Sequence, residues 1–187
     1  GTMTAQGILN ISAGTGNGIS YINSPVDFGS QVDVNVNAGA ELEMNGAATV
    51  AGGTYNVDDD GFLDFDGTLS IGSATFNDVG VAGTADVRID GITTYTGGTI
   101  NTSVAMLQQG AATVTGATVI NGGLFNLDGT GSTEITLEND LTLNVDAIES
   151  GGVNFDGTLT INGGFNELTV NTVSPWGMDG TLVITTG

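Results

Sequence analysis

Short stretches of alternating apolar and polar residues recur along nearly the whole chain. A period of two is typical of β-strands whose two faces meet different environments. Each stretch spans only a few residues, and glycine or aspartate commonly follows it. The pattern predicts an all-β fold made of many short strands. The clearest stretches are residues 32–37, 68–71, 86–90, 134–137, 141–145 and 159–161.

Turn-forming residues separate these stretches. Glycine, and to a lesser degree aspartate, tolerates the positive φ that tight turns require. Asp-Gly pairs occur at 60–61, 66–67, 90–91, 128–129, 156–157 and 179–180, and Gly-Gly pairs at 52–53, 97–98, 122–123, 151–152 and 163–164. Only the segment from Ser103 to Gln109 has a composition that also suits a turn of helix, and Gly110 would end it.

A returning corner sequence favours a solenoid over a sandwich or a barrel. Phe-Asp-Gly-Thr-Leu at 65–69 recurs at 155–159 and, with Met in first place, at 178–182. Asp66 and Asp90 lie 24 residues apart, which suits one coil of a β-helix stacked about 4.8 Å above the last. Dividing 187 residues by about 24 predicts roughly eight coils. The 38-residue interval from Asp90 to Asp128 fits only if one coil lacks its Asp-Gly corner.

The charge balance excludes several partners. The chain has 21 acidic residues, one basic side chain (Arg88) and a formal net charge of −20. Because binding to nucleic acid or anionic lipid depends on Lys and Arg, nucleic acid is excluded as a partner. The sequence contains no apolar run long enough to cross a bilayer, so direct membrane insertion is not expected. Leu, Ile, Val and Phe make up about 27% of the chain, enough for one β-helical domain over residues 1–187.

Residues 91–100, Gly-Ile-Thr-Thr-Tyr-Thr-Gly-Gly-Thr-Ile, resemble the strand repeat of autotransporter passenger domains. Asn-Gly-Gly-Leu-Phe at 121–125 is similar to the second element of that repeat. The resemblance implies a right-handed, single-stranded parallel β-helix that belongs to a longer secreted or surface protein. It implies an extracellular or bacterial cell-surface location and carries over no catalytic residue.

The densest group of oxygen ligands lies between residues 56 and 67. Counted from Asn56, oxygen side chains occupy positions 1, 3, 5 and 9 with glycine at 6, an order that calcium-binding loops use. Position 12, where such loops carry a bidentate Glu, is Gly67. The pattern predicts calcium as the one candidate cofactor, with these ligands: Asn56, Asp58, Asp60, Asp64 and Asp66.

Two other interpretations of these residues stay open. In the first, residues 58–61 form a solvated turn, while Asp64 and Asp66 point outward from a strand whose Phe65 points inward. In the second, the Asn/Asp-x-Asp-Gly units that start at Asp64, Asn126 and Asn154 stack as a ladder of ion sites.

Catalysis is not expected. With no histidine or cysteine, the chain lacks the usual parts of nucleophilic triads and zinc sites. Paired carboxylates among Asp58, Asp60 and Asp64 could serve glycoside hydrolysis, which keeps a carbohydrate-active β-helix as the first alternative. Trp176 is expected to be an apolar plug on the last coil rather than a sugar-stacking residue.

The sequence therefore predicts a structural or adhesive segment. Its expected partner is a host or matrix surface, either protein or polysaccharide. The unpaired strand edges at the ends of a β-helix also allow end-to-end self-association. A calcium-dependent surface-layer or matrix assembly module is the second alternative.

Overall fold

In the residues that it describes, the computed structural model contains strands and turns only. It describes residues 1–14, 18–80, 85–122, 124–127, 134–137, 140–145, 153–155, 158–162, 168–172, 177–178 and 181–185. No helix capable of spanning a membrane occurs within these ranges. The strands are β1 (Met3–Ile11), β2 (Ile19–Ile22), β3 (Val26–Val36), β4 (Glu41–Met44), β5 (Ala48–Val50), β6 (Thr54–Val57), β7 (Phe62–Phe65), β8 (Leu69–Ile71), β9 (Ala74–Asp78), β10 (Asp86–Ile89), β11 (Thr93–Tyr95), β12 (Gly98–Thr102), β13 (Ala105–Gln108), β14 (Ala112–Val114), β15 (Thr118–Asn121), β16 (Leu124–Leu127), β17 (Glu134–Leu137), β18 (Leu141–Val145), β19 (Val153–Phe155), β20 (Thr158–Asn162), β21 (Leu168–Thr172), β22 (Gly177–Met178) and β23 (Thr181–Thr185).

These strands form three parallel faces that wind into a β-solenoid, which confirms the predicted fold class. The first face is β2-β4-β7-β10-β13-β16-β19-β22. The second face begins with the first half of β3 and continues through β5, β8, β11, β14, β17 and β20 to β23. The third face begins with the second half of β3 and continues through β6, β9, β12, β15 and β18 to β21. Strand β1 pairs along both halves of β3. Every strand therefore pairs with its equivalent in a neighbouring coil.

The coils are close to the predicted length, but fewer are complete than predicted. First-face strands begin at residues 19, 41, 62, 86 and 105, so one coil takes 19 to 24 residues. Five complete coils lie between Ile19 and Asn121 in the described part of the chain, fewer than the roughly eight predicted. Strand β1 adds no three-sided turn, because it lies against β3 as one strand. Strands β16 to β23 continue the same order of pairing.

Alternation along each strand sends one set of side chains into a continuous core. In the third face, Val34, Tyr55 and Phe76 occupy the same inward position on successive coils, and all three are fully buried. The Tyr55 and Phe76 rings lie 5.0 Å apart between centroids, and the Tyr55 ring lies 5.9 Å from that of Phe28. Burying a large apolar side chain contributes about 1.5–3 kcal/mol, so these stacked columns supply much of the stability of the fold.

Glycine is required where the first face turns into the second. At this corner Gly46, Gly67, Gly91 and Gly110 stack on successive coils, and a Cβ on any of the last three would collide with the backbone carbonyl of the glycine one coil before. Gln109-Gly110 stands where the neighbouring coils have Asp66-Gly67 and Asp90-Gly91. The 38-residue interval is therefore explained by a coil that lacks the Asp-Gly corner but keeps its glycine.

The expectation that residues 103–109 coil into a turn of helix was wrong. Ala105 to Gln108 form β13, which pairs in parallel with β10 and β16. Ala, Met, Leu and Gln are among the best helix formers, but helix propensity differs by less than about 1 kcal/mol per residue. The two neighbouring strands offer all the backbone hydrogen bonds that a strand needs. Tertiary pairing therefore overrides local propensity in this segment.

Gln108 lies inside the core with every polar atom of its side chain paired. Its Oε1 accepts a hydrogen bond from the Tyr95 hydroxyl at 2.8 Å, and its Nε2 donates to Thr93 Oγ1 at 3.3 Å and to the Gly110 carbonyl at 2.8 Å. Gln108 and Thr93 are fully buried. Because a buried amide without partners costs a few kcal/mol, this network is what makes a glutamine tolerable there.

Candidate functional site

The structure places Asp58 and Asp60 at the corner between the third and first faces and Asn56 on the strand that leads into it. Asn56 lies on β6, where its side chain donates to Asn35 and accepts from Asn77. The Asp58 carboxylate accepts a hydrogen bond from the Asp59 backbone N–H at 2.8 Å. Asp60 adopts a left-handed conformation with φ of 51°, as expected for a tight turn.

The other two predicted ligands lie together and are joined by Asp90 of the next coil. Asp64 is on β7, and Asp66 and Asp90 follow β7 and β10 at the same corner. One carboxylate oxygen from each of the three lies within 4.8 Å of the other two. We call these three residues the acidic cluster. The sequence did contain a signal for Asp90, because Asp66-Gly67 and Asp90-Gly91 are one coil length apart.

Asp64 is the buried member of the acidic cluster. Alternation puts it on the outer side of the first face, between Leu63 and Phe65, which point into the core. Its sheet neighbours are Glu43 on the preceding coil and Arg88 on the next. Asp64 is nevertheless only 8% exposed, and its Oδ1 is buried without a hydrogen-bond partner. Asp66 and Asp90 are exposed, so the cluster is open to solvent on their side.

Arg88, the one basic side chain of the protein, makes its close contacts away from the cluster. Its guanidinium carbon lies 4.0 Å from the centroid of the Phe62 ring, and its Nη2 lies 3.9 Å from the Asp86 carboxylate. Phe62 and Asp86 are neighbours in the sheet, on the outer column beside that of Asp64. The guanidinium is thus held by a ring and a carboxylate outside the acidic cluster.

Burial and neighbouring charges raise the pKa of Asp64 and that of Asp90. Burial raises the pKa of Asp64 to about 7, and the charges of Asp90 and Asp66 add to the rise, while Arg88 opposes it. Burial also raises the pKa of Asp90, as does the charge of Asp66. The pKa of Glu43 is raised mainly by burial, with a smaller contribution from the charge of Asp66. Such a group of carboxyls can hold either a proton or a cation at neutral pH.

The corner column sets the acidic pair between two amides. We use this name for the residue before each of the four stacked glycines named above, which is Asn45, Asp66, Asp90 and Gln109. The glycine N–H of every such corner donates to a carbonyl of the coil before, for example Gly67 to Met44 and Gly91 to Phe65. The backbone geometry is therefore the same in each coil, and an amide fits the position as well as a carboxylate does.

A column of asparagines on the third face was missed by sequence reasoning. Asn35 donates to Asn10 at 2.8 Å, Asn56 to Asn35 at 2.8 Å and Asn77 to Asn56 at 3.0 Å. We call these four residues the asparagine ladder. The ladder ends at Asn77 because the next asparagine, Asn101, stands opposite Thr75, two residues before Asn77. Asn101 instead accepts a hydrogen bond from Asn121 at 3.0 Å. The signal in the sequence was an asparagine between two apolar residues in successive third-face strands, as at 34–36 and 55–57.

The predicted ladder of Asn/Asp-x-Asp-Gly units occupies one column of the first face, but with interruptions. The register runs from Asp64 through Arg88 and Leu107 to Asn126 and then Asn154. Two residues without a carboxylate thus separate the first unit from the second. Asp128, Asp156 and Trp176, which also carried predictions, lie outside the described residues.

No protein-family model matches the chain, and neither a curated protein nor a solved structure matches it. The resemblance to autotransporter repeats therefore stays a prediction. The same holds for the right-handed sense of the coil, which was implied by that resemblance.

Proposed function

We propose that this chain is a structural segment of an extracellular or cell-surface bacterial protein, a rod that holds a binding region or displays its corners toward a host or matrix surface. The observation that supports this proposal is that strands on all three faces pair in parallel from coil to coil. A solenoid of this kind gains length without enlarging its core, because each coil needs contacts only with its neighbours.

The polar outer faces support the same role. Outward side chains of the second face form a column of hydroxyls, with Thr49, Ser70, Thr94 and Thr113 at matching positions of successive coils. The asparagine ladder covers part of the third face. These uncharged groups suit a surface that stays hydrated at high ionic strength and that contacts partners through many weak hydrogen bonds.

The N-terminal edge supports the proposed end-to-end contact. Met3 is 45% exposed and Ile8 is 69% exposed on β1, which in the described residues pairs with β3 alone. An apolar strand edge of this kind is a site for pairing with another strand. The proposed occupant is a further coil, from a longer chain or from a second copy of the protein.

A carbohydrate-active role is the second candidate, and the acidic cluster is the observation that favours it. A carboxyl with a pKa near 7, such as that of Asp64, beside a second carboxyl is the pairing that glycoside hydrolysis uses. However, Asp64 is 8% exposed, so the exposed carboxyls of Asp66 and Asp90 would have to contact the sugar first.

One experiment separates the two roles. The chain is incubated with acidic and neutral polysaccharides, and both retention on the immobilised polymer and release of reducing ends are measured for wild type and Asp64→Asn. A structural segment releases no reducing ends, and its retention on a polymer or matrix protein is the same in both proteins. Release of reducing ends that disappears in Asp64→Asn would overturn the proposal in favour of hydrolysis.

A further inference from the structure

We infer that the acidic cluster of Asp64, Asp66 and Asp90 is a calcium site that fastens one coil of the solenoid to the next. Asp64 and Asp66 belong to the coil that starts with β7, and Asp90 to the coil that starts with β10. A cation bound by all three bridges the two coils at their shared corner. The site differs from a loop spanning residues 56–66, because one ligand comes from the next coil.

The buried oxygen of Asp64 is the observation that points to a ligand. Buried polar atoms in folded proteins nearly always have a partner, and one without any usually marks a bound water, an ion or a functional strain. Asp64 Oδ1 has no hydrogen-bond partner, and the residue is 8% exposed. The same carboxylate contributes an oxygen to the cluster with Asp66 and Asp90. A cation there supplies the contact that the protein leaves open.

The charge around the cluster favours a cation from outside the chain. Asp66 and Asp90 stack at a corner where the coil before them carries Asn45 and the coil after them carries Gln109, so two carboxylates repel each other where amides would not. Glu43 adjoins Asp64 in the sheet and adds a fourth acidic group. Arg88, the one basic side chain, contacts Phe62 and Asp86. A divalent ion neutralises what the protein's own cation does not.

The coordination preferences of the two ions favour calcium over magnesium. Calcium takes six to eight oxygen ligands in flexible geometry, whereas magnesium demands near-ideal octahedral geometry. One carboxylate oxygen of each residue in the acidic cluster lies within 4.8 Å of the other two, so one ion can contact all three residues. Calcium also accepts irregular shells completed by water, and the exposed side of Asp66 and Asp90 provides access for it.

The site is tested by calorimetric titration of the chain with calcium chloride at pH 7.5 and constant ionic strength. We expect one calcium ion per cluster, at least tenfold weaker binding in Asp64→Asn and in Asp90→Asn, and a change below twofold in Asp33→Asn. Asp33 is an exposed aspartate on the third face, so its variant removes the same charge elsewhere. Magnesium should bind at least tenfold more weakly than calcium.

A second measurement protects the test against variants that merely unfold. In EGTA, Asp64→Asn should melt at the same temperature as wild type or higher, because it removes an unpaired buried carboxylate, and calcium should raise the melting temperature of wild type only. The inference is overturned if wild type binds no calcium or if Asp64→Asn binds it as wild type does. It is also overturned if Asp60→Asn abolishes binding while Asp64→Asn does not, which would place the ion at the preceding corner.

Discussion

The asparagine ladder and the corner column are built by the same stacking of coils and have opposite electrostatic outcomes. On the third face, each amide donates to the equivalent amide one coil below, so repetition adds hydrogen bonds. At the corner, the repeated residue is an aspartate in two successive coils, and repetition adds repulsion beside the buried carboxyl of Asp64. An amide has a donor and an acceptor, whereas an ionised carboxylate has acceptors only.

The difference shows that a parallel solenoid places equivalent side chains of successive coils next to one another, so their mutual attraction or repulsion recurs from coil to coil. A self-complementary side chain makes a column that stabilises the rod. A side chain that repels its own copy needs a proton or a cation between the copies. The four substitutions below test this contrast, in order of decreasing expected effect on stability.

Gly91→Ala should be the most damaging change, because it attacks the stacking of the corner itself. The new Cβ would collide with the Gly67 carbonyl group and approach the Asp66 carbonyl oxygen at 2.8 Å. Backbone atoms cannot move aside as a flexible side chain can, so we expect a loss of about 3 kcal/mol in the free energy of unfolding. Urea denaturation measures it. Gly29→Ala is the matched control, since its Cβ meets nothing within 4 Å, and an equal loss in both would contradict the close-stacking explanation.

Asp64→Asn should stabilise the protein at pH 8 without calcium, by on the order of 2 kcal/mol. The folded pKa of Asp64 is raised to about 7, above its ordinary value of 3.8, chiefly by burial. Folded protein therefore binds this proton more tightly than unfolded protein does. The contribution of Asp64 to stability falls as the pH rises from about 4 to about 7 and is constant above that.

The measurement is a pair of urea denaturation series in EGTA from pH 4 to pH 8.5, for wild type and Asp64→Asn. The difference in unfolding free energy between them should grow over that window and then level off. Subtracting the two proteins removes the contribution of the other carboxyls. A difference that does not change with pH would show that Asp64 does not titrate abnormally.

Asn56→Ala should destabilise the ladder by about 1–2 kcal/mol, because two side-chain hydrogen bonds are lost at about 0.5–1.5 kcal/mol each. Asn56 donates to Asn35 and accepts from Asn77. Asn10→Ala is the comparison, because Asn10 makes one bond at the end of the ladder and its loss should cost about half as much. Thermal melts of the two variants measure the loss of stability in each. Equal losses would mean that the second hydrogen bond of Asn56 adds nothing to stability.

Arg88→Met should have the smallest effect on stability, roughly 0.5 kcal/mol or less, because the pair with Asp86 is partly exposed and such pairs contribute little. It should, however, raise the pKa of Asp64 further, since the Arg88 charge opposes the rise caused by burial. Carboxyl carbon chemical shifts followed by NMR against pH report that pKa. Arg88→Lys keeps the charge and should leave the titration midpoint of Asp64 closer to that of wild type. An Asp64 midpoint unchanged in Arg88→Met would count against an effect of the Arg88 charge on the pKa of Asp64.

Much of the corner structure was predictable, and the cluster was predictable only in part. The Asp-Gly-Thr-Leu unit at 66–69 marks the turn from the first to the second face, between β7 and β8. Asp64 and Asp66 were both among the predicted ligands. Asp90 was not, because a loop pattern considers neighbours in sequence, whereas this partner is a neighbour through the stacking of coils.

The sequence by itself determined that the chain forms short strands with glycine corners and a repeat near 24 residues, because alternation and turn chemistry are local properties. Its charge also predicts that partners requiring a basic surface do not bind. Only the tertiary structure decided which residues of successive coils stand opposite one another. A shift of two residues ended the asparagine ladder at Asn77, and the register of β7 and β10 placed Asp64 beside Asp90. Register depends on how whole coils pack onto the core, so it belongs to the fold rather than to any single segment.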